Sequence, residues 1–376
     1  MAIAITNIES LRLANNDFAT SLYSQLSNQD GNIIFSPFSI HVVMFMASIG
    51  AASKTFNEMF NALHISKNNA TELLESYQNI LKNFKDQDEI KIATGLFADN
   101  SFKLNQKYLN NISNYLQATT ERLNFASSPE EQRLYINKWI SKKTNKKIQE
   151  LLPADSVTSD TALVLANAVH FKSGWEIKFE QAKDELFYLT PNKTKKVNMM
   201  SLENLQLQYY HDNELNYSAL RLDYLDLKFK MVILLPDAID GLRNLENHLS
   251  KIRFSVLLEN MDTFEVSVKL PRFKLEKSID LKNVLVELGC SSMFSGDANF
   301  SEMYNRTEKP LFVSSVNHKA YIDVNEQGTE AAASTGIIME LYSSFHQVNF
   351  IANHPFIIAV ISDKNDVIFM GRVQNP

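Results

Sequence analysis

The chain has 376 residues, a net charge of -6 and one cysteine, and these properties exclude several classes of protein. The single cysteine, Cys290, excludes an internal disulfide and any metal site built from several thiolates. The acidic charge argues against nucleic acid as a partner, because phosphates are bound by basic surfaces.

The amino-terminal segment MAIAITNIES has neither the charged region nor the apolar stretch of a signal peptide. No run of about 18 apolar residues occurs, so we expect no membrane-spanning segment and no membrane partner. Two hypotheses for location stay open. The protein is either secreted and extracellular, with its signal peptide already removed, or cytoplasmic.

The first 150 residues are mainly helical in character. The first helix is predicted from apolar residues spaced three, four or seven apart, namely Ile8, Leu11, Phe18, Leu22 and Leu26. The segment GNIIFSPFSI then predicts a short strand that ends at Pro37. Strands are predicted later at LVLANAVHF (163–171), FKMVILLP (229–236) and FEVSVKLPRF (264–273). Helices and strands that interleave without a regular βαβ order indicate the α+β class with several sheets.

No segment has the composition of an interdomain linker. Only 10 Gly and 9 Pro are spread over its length, and 45% of the residues are hydrophobic, which is enough for a large core. We therefore expect a single domain over residues 1–376 and a monomer.

The usual enzyme signatures are absent. No two glycines are separated by one residue, which excludes GxGxxG, none are separated by three residues, which excludes GxSxG, and no GK[ST] follows a glycine-rich loop. The eight histidines include no HExxH and no pair four residues apart. We expect no cofactor, no metal and no enzymatic activity, although a triad of distant residues cannot be read from sequence.

The segment that follows Asp323 carries the strongest functional signal. In an extended conformation, alternate side chains share a face. One face is small or apolar throughout: Thr329, Ala331, Ala333, Thr335, Ile337, Met339 and Leu341. The other face carries both charges: Glu330, Ala332, Ser334, Gly336, Ile338, Glu340 and Tyr342. A helix or surface loop stays an alternative, because EAAAS is also a good helix former.

Seven segments resemble motifs of the serpin family, in order and over nearly the whole chain. They are NIIFSPFSI (32–40), LANAVHFKSGWEIKF (165–179), FKLEKSIDLKNVLVELG (273–289), FVSSVNHKAYIDV (312–324), the hinge NEQGTEAAAST (325–335), FIANHPFIIAV (350–360) and VIFMGRVQNP (367–376). The resemblance implies one domain of three β-sheets and eight or nine helices. It also implies an exposed reactive-centre loop near the C-terminus, at about residues 326–348.

The resemblance further implies a suicide-substrate mechanism. The bond attacked in the family lies fourteen residues beyond the hinge glycine, here Gly328, which gives Tyr342-Ser343. The target protease would form an acyl-enzyme at Tyr342, and the freed loop would insert into the central sheet. The hinge comprises Glu326, Gly328, Thr329, Glu330, Ala331, Ala332 and Ala333. We expect Thr329 to lie in the exposed loop before cleavage. The alternative is a non-inhibitory serpin that acts as a carrier, chaperone or storage protein.

Two supporting clusters and two partners follow from the same resemblance. The shutter, a hydrogen-bonded cluster below the opening of the sheet, corresponds to Ser36, Ser39, Asn167 and His318. The breach, at the top of the sheet, corresponds to Trp175, Arg272 and Glu326, with Arg where Lys is common. The expected target is a chymotrypsin-like serine protease. Heparin or a related glycosaminoglycan is a weaker partner hypothesis, based on Lys138, Lys142, Lys143, Lys146 and Lys147.

Overall fold

The computed structural model describes residues 7–66, 70–85, 87–304, 310–329 and 347–376. These residues form an α+β fold. Its nine α-helices within the described ranges are α1 Asn7–Leu26, α2 Pro37–Ser48, α3 Ser53–Ala62, α4 Ala70–Lys85, α5 Gln106–Leu116, α6 Pro129–Lys143, α7 Leu242–His248, α8 Phe254–Glu259 and α9 Lys282–Glu287. Short 3-10 helices occur at Leu225–Leu227, Leu249–Lys251 and Ser292–Phe294.

Sixteen strands are present in the same ranges. They are β1 Ile33–Phe35, β2 Ile90–Asp99, β3 Thr119–Leu123, β4 Leu163–Phe171, β5 Ser173–Gly174, β6 Lys183–Thr190, β7 Lys193–Asp212, β8 Tyr217–Asp223, β9 Phe229–Pro236, β10 Asp262–Pro271, β11 Phe273–Asp280, β12 Ser315–Asn325, β13 Gly328–Thr329, β14 Gln347–Ile351, β15 Phe356–Ser362 and β16 Val367–Val373. The predicted first helix is confirmed as α1, the strands predicted at 163–171 and 229–236 are confirmed at their bounds, and the strand predicted at 264–273 is shifted by two residues.

The strands form two hydrogen-bonded sheets. A nine-stranded sheet has the order β1-β16-β15-β9-β8-β7-β10-β14, with β6 also paired to β7. A seven-stranded sheet has the order β3-β2-β4-β12-β13-β5, with β11 also paired to β12. The resemblance implies three sheets, and the 20-residue strand β7 accounts for the difference. Residues 193–199 of β7 pair with β6, residues 199–209 pair with β10 and residues 208–212 pair with β8, so two groups of strands are joined into one sheet.

The described residues divide into two compact units, each assembled from separate segments. One unit consists of Met1–Gln25, Ser36–His170 and Lys277–Ala320. Its central helix α2 is buried at all twelve positions, as expected of a helix that is apolar on every side. The one imidazole inside α2, His41, accepts a hydrogen bond from the Tyr77 hydroxyl at 2.7 Å and donates to the Leu63 carbonyl at 2.9 Å.

The other unit consists of Leu26–Phe35, Phe171–Glu276 and Tyr321–Pro376, and it contains the nine-stranded sheet. Strands β9, β15 and β16 are buried along their whole length, which explains their continuous apolar sequences. A buried ion pair joins Arg372 and Glu246 at 2.7 Å, and Arg372 also donates to the Ser27 and Gly31 carbonyls. These bonds satisfy a guanidinium that would otherwise be costly to bury.

The expectation of a single domain stays a prediction. No helix within the described ranges is long and apolar enough to cross a membrane. The same residues contain no group of three His, Cys, Asp or Glu side chains arranged to hold a metal ion.

Candidate functional site

The hinge pairs with the seven-stranded sheet through Gly328 and Thr329. Gly328 and Thr329 form β13, which pairs antiparallel with β12 through Asn325 and Val324. On its other edge, β13 pairs antiparallel with Gly174 and Ser173 of β5. Only residue 172 separates β4 from β5, and β4 is the neighbour of β12 in the strand order. Strand β13 therefore occupies the place between β12 and β5.

Gly328 can occupy this place because it has no side chain. Its φ is +142°, a conformation that residues with a Cβ rarely adopt. A Cβ here would lie 2.2 Å from the Ser173 carbonyl oxygen and 2.4 Å from the Gly174 Cα. Both are backbone atoms that cannot move aside without breaking the pairing of β5. The glycine is therefore a steric requirement of this strand arrangement.

Thr329 is fully buried, on the face that the alternating pattern assigns to it. Its hydroxyl lies 2.8 Å from the Tyr224 hydroxyl, so both buried hydroxyls have a partner. The Tyr224 ring stacks on Trp175 with centroids 4.4 Å apart, and the Trp175 indole N–H donates to the Asn325 carbonyl at 2.9 Å. Burial raises the pKa of Tyr224, which keeps the phenol protonated. We call Gly328, Thr329, Tyr224 and Trp175 the hinge seat.

The expectation that Thr329 lies in an exposed loop is therefore wrong. There are two physical reasons. Gly328 allows the backbone to approach β5 closely, and the buried Tyr224 hydroxyl forms a hydrogen bond with the Thr329 hydroxyl. The next hinge residues, Glu330, Ala331, Ala332 and Ala333, and the reactive-bond residues, Tyr342 and Ser343, lie outside the described residues.

One breach residue, Trp175, belongs to the hinge seat, and the other two, Arg272 and Glu326, form an ion pair next to it along the chain. Arg272 contacts both Glu326 carboxylate oxygens, with its Nε donating to Oε2 at 2.7 Å and its Nη2 donating to Oε1. The Ala182 N–H donates to the same Oε1 at 3.0 Å. Burial alone would raise the pKa of Glu326, but the hydrogen bonds from Arg272 and from the backbone outweigh it and lower the pKa. Glu326 thus stays ionised and fixes the chain two residues before Gly328.

The four shutter residues are brought together and are all fully buried. The Ser39 hydroxyl donates to the Asn167 side-chain oxygen at 2.7 Å. His318 Nδ1 lies 2.7 Å from that same oxygen, and the Ser36 backbone N–H donates to His318 Nε2 at 3.0 Å. The Asn167 amide oxygen accepts and Ser36 N–H donates, so His318 must be neutral with its proton on Nδ1. Burial lowers the pKa of His318 to about 3.

Sequence reasoning missed Tyr224. It lies 105 residues before Thr329 and belongs to no motif that was singled out, so no local signal connects the two residues. The five lysines considered for heparin binding are all exposed, three in α6 and two just beyond it. A glycosaminoglycan partner stays a prediction.

Comparison with known proteins agrees with this geometry. The family model described as Serpin (serine protease inhibitor) matches residues 13–376. Serpin B4 of Homo sapiens is 36% identical over 98% of this chain and 100% of its own. Leukocyte elastase inhibitor of Bos taurus is 37% identical over 98% of this chain and 100% of its own.

Solved structures give the same result. The crystal structure of Serpin48, described as a highly specific serpin in the insect Tenebrio molitor, has a TM-score of 0.89 at 26% identity and covers 98% of each chain. Uncleaved ovalbumin has a TM-score of 0.86 at 26% identity and covers 98% of this chain and 100% of that one. The fold is therefore of the serpin class. The chain itself belongs to the serpin family.

The burial of Thr329 predicts that Thr329→Arg destabilises the intact protein. A cation cannot remain in the seat unpaired, so β13 should leave the sheet with the loss of the Tyr224 bond, at a cost of about 1–3 kcal/mol. Gln327→Arg is the matched control, because Gln327 is exposed two residues earlier. Urea unfolding should show a lower free energy of unfolding for Thr329→Arg only. Equal values for both variants would contradict the burial of Thr329.

The two buried histidines predict a dependence of stability on pH. Burial lowers the pKa of His41 to about 4 and that of His318 to about 3, whereas both groups titrate near 6.5 in the unfolded chain. The unfolded chain binds more protons in this range, so the free energy of unfolding should fall as pH drops from about 6.5 towards 4. The slope is up to about 1.4 kcal/mol per pH unit for each histidine.

His318→Gln is the control for this prediction. A glutamine amide can accept from the Ser36 N–H and donate to Asn167 without titrating. Urea unfolding at a series of pH values should give a slope for His318→Gln that is smaller by about 1.4 kcal/mol per pH unit. Equal slopes for the two proteins would mean that His318 titrates normally in the fold.

Proposed function

We propose that this protein inhibits a chymotrypsin-like serine protease as a suicide substrate, is not itself an enzyme, and offers the Tyr342-Ser343 bond for cleavage. The observation that carries the proposal is the pairing of Gly328 and Thr329 with strands on both sides. A reactive loop that already contributes Gly328 and Thr329 as a strand between β12 and β5 needs no new site of entry in order to insert further.

The chemistry follows from the position of the bond. The hydroxyl of the protease serine would attack the Tyr342 carbonyl, and the peptide bond to Ser343 would break. The proton of that hydroxyl would pass to the Ser343 nitrogen. The Tyr342 carbonyl would remain as an ester on the protease. Extension of β13 by the residues after Thr329 would then carry this ester roughly 45 Å along the sheet, at about 3.3 Å per residue. Displacement of the protease before water hydrolyses the ester gives a stable complex.

The inward face of the loop supports insertion over the non-inhibitory alternative. From Ala331 to Leu341 that face carries no charged residue, so nothing on it would meet the cost of several kcal/mol for burying an unpaired charge. A loop with Asp, Glu, Lys or Arg at these positions would favour a carrier or storage role. The similarity to the bovine leukocyte elastase inhibitor also favours inhibition.

The composition of the loop supports the target class. From Gly328 through Phe356 there is no Lys or Arg. Trypsin-like pockets contain a buried Asp and bind a basic side chain, whereas an apolar pocket accepts Tyr342. Cleavage at a neighbouring bond would give the same target class, because Leu341, Met339 and Phe345 are apolar as well.

Incubation with chymotrypsin tests the proposal on an SDS gel. We expect a stable band near the summed masses, of which this protein contributes 42.9 kDa, and no such band with trypsin. Tyr342→Arg is the matched variant, because it changes only the residue that enters the protease pocket. It should exchange the two results, forming the complex with trypsin and losing most of it with chymotrypsin.

Two outcomes would contradict the proposal. Cleavage at Tyr342-Ser343 by chymotrypsin without any stable complex would favour a non-inhibitory serpin. Formation of the trypsin complex by the unaltered protein, with cleavage inside this loop, would refute the target class.

A further inference from the structure

The turn that joins β8 to β9 has an unusual backbone. Asp226 has φ 61° and ψ 8°, and Leu227 has φ 56°, so two successive residues are left-handed. The Leu227 N–H donates to the Tyr224 carbonyl at 3.1 Å, and the Tyr224 N–H donates to the Phe229 carbonyl at 3.1 Å. Left-handed residues in hairpin turns are usually Gly, which has no Cβ to approach the carbonyl oxygen, or Asn, whose short polar side chain can form local hydrogen bonds. Leucine is a poor choice at this position.

Leu227 is also the most exposed large hydrophobic side chain within the described ranges, at 57%. Because the Leu227 side chain is exposed, it adds no hydrophobic stabilisation to the fold. Its left-handed backbone conformation costs conformational energy. Both features are unfavourable for the protein on its own. Residues held in unfavourable conformations are concentrated at sites of binding and catalysis, which makes Leu227 a candidate contact residue.

The turn is packed directly against the hinge seat. Its first residue, Tyr224, bonds Thr329 at 2.8 Å. Its second residue, Leu225, covers Gly174, since a Cβ added to Gly174 would lie 2.7 Å from Leu225 Cδ1. Gly174 is in turn the strand partner of Gly328. The turn, β5 and the start of the reactive loop are therefore one packed group, with Leu227 at its exposed tip.

We propose that the tip of this turn is a second contact for the target protease, formed while the protease engages the reactive loop, with Leu227 buried against an apolar part of the protease surface. The proposal rests on the proposed function. Tyr342 lies thirteen residues beyond Thr329, a span of at most about 45 Å, similar to the diameter of a globular domain of 200–250 residues. A protease bound at Tyr342 can thus reach a turn that is bonded to Thr329.

The protease fits better than other occupants of this tip. A membrane contact would need a broader apolar face than one leucine flanked by the exposed Asp226. A second copy of this chain would have to be recruited independently, whereas the protease is brought to the loop that starts at Thr329 by the inhibition reaction itself.

Leu227→Asn tests the contact. Asparagine tolerates the left-handed conformation and removes the apolar side chain. We expect the second-order rate constant for inhibition of chymotrypsin to fall about five-fold, which corresponds to about 1 kcal/mol, while the melting temperature rises. The stoichiometry of inhibition should stay unchanged, because the substitution leaves the hinge seat and the inward face of the reactive loop intact. Val256→Asn is the control, since Val256 is 47% exposed on α8, and its rate constant should equal that of the parent.

Binding to catalytically inactive chymotrypsin separates docking from chemistry. The dissociation constant of Leu227→Asn should be about five-fold higher than that of the parent and of Val256→Asn. An unchanged rate constant and dissociation constant would overturn the proposal. A higher stoichiometry of inhibition with an unchanged dissociation constant would also overturn it, because the turn would then act on the hinge rather than on the protease. Absence of any stable complex with the parent protein would instead refute the proposed function, while the binding comparison would still decide on the contact.

Discussion

The absence of a side chain at Gly328 is the constraint on which the rest of the site depends. The glycine brings the backbone to within bonding distance of β5 and β12 at once, in a space that a single Cβ would close. The next residue, Thr329, is then carried into the interior, where it requires a polar partner, and Tyr224 supplies one. On the other side of Gly328, the ion pair of Glu326 with Arg272 fixes the direction of the chain.

Magnitudes bear on the proposed extension of β13 after cleavage. Ordering a residue costs about 1–2 kcal/mol, and a net hydrogen bond returns about 0.5–1.5 kcal/mol. Strand pairing alone therefore leaves little surplus for each residue that is added. Burial of apolar side chains adds up to about 1.5–3 kcal/mol for each large one, and the sequence places Ile337, Met339 and Leu341 on the face that the proposal directs inward. Under the proposed mechanism, extension is therefore most favourable when the whole segment up to Leu341 is added.

Much of this fold could be predicted from the sequence, because the signals for helices and strands are local along the chain. The helix from Asn7 and the strand at Leu163–Phe171 follow from periodicity and apolar composition. The ion pair between Arg272 and Glu326 and the shutter cluster came from the resemblance, which assigns partners that are distant in the chain. The burial of Thr329 in the uncut protein was not predicted. It depends on a hydrogen bond with Tyr224, which is distant in the chain and belongs to no recognised motif. The left-handed Leu227 was also missed, because Asp-Leu is not a recognised turn signal.

The central claim is that the reactive loop extends β13 once it is cut, and the melting temperature after cleavage tests it most directly. A protease that cuts the loop near Tyr342 without being inhibited would supply the cleaved protein, verified by mass. Extension of β13 predicts a melting temperature higher than that of the intact protein by about 10 °C or more, because added strand pairing and burial outweigh the lost connection. An unchanged or lower melting temperature after clean cleavage would contradict insertion and favour a non-inhibitory serpin.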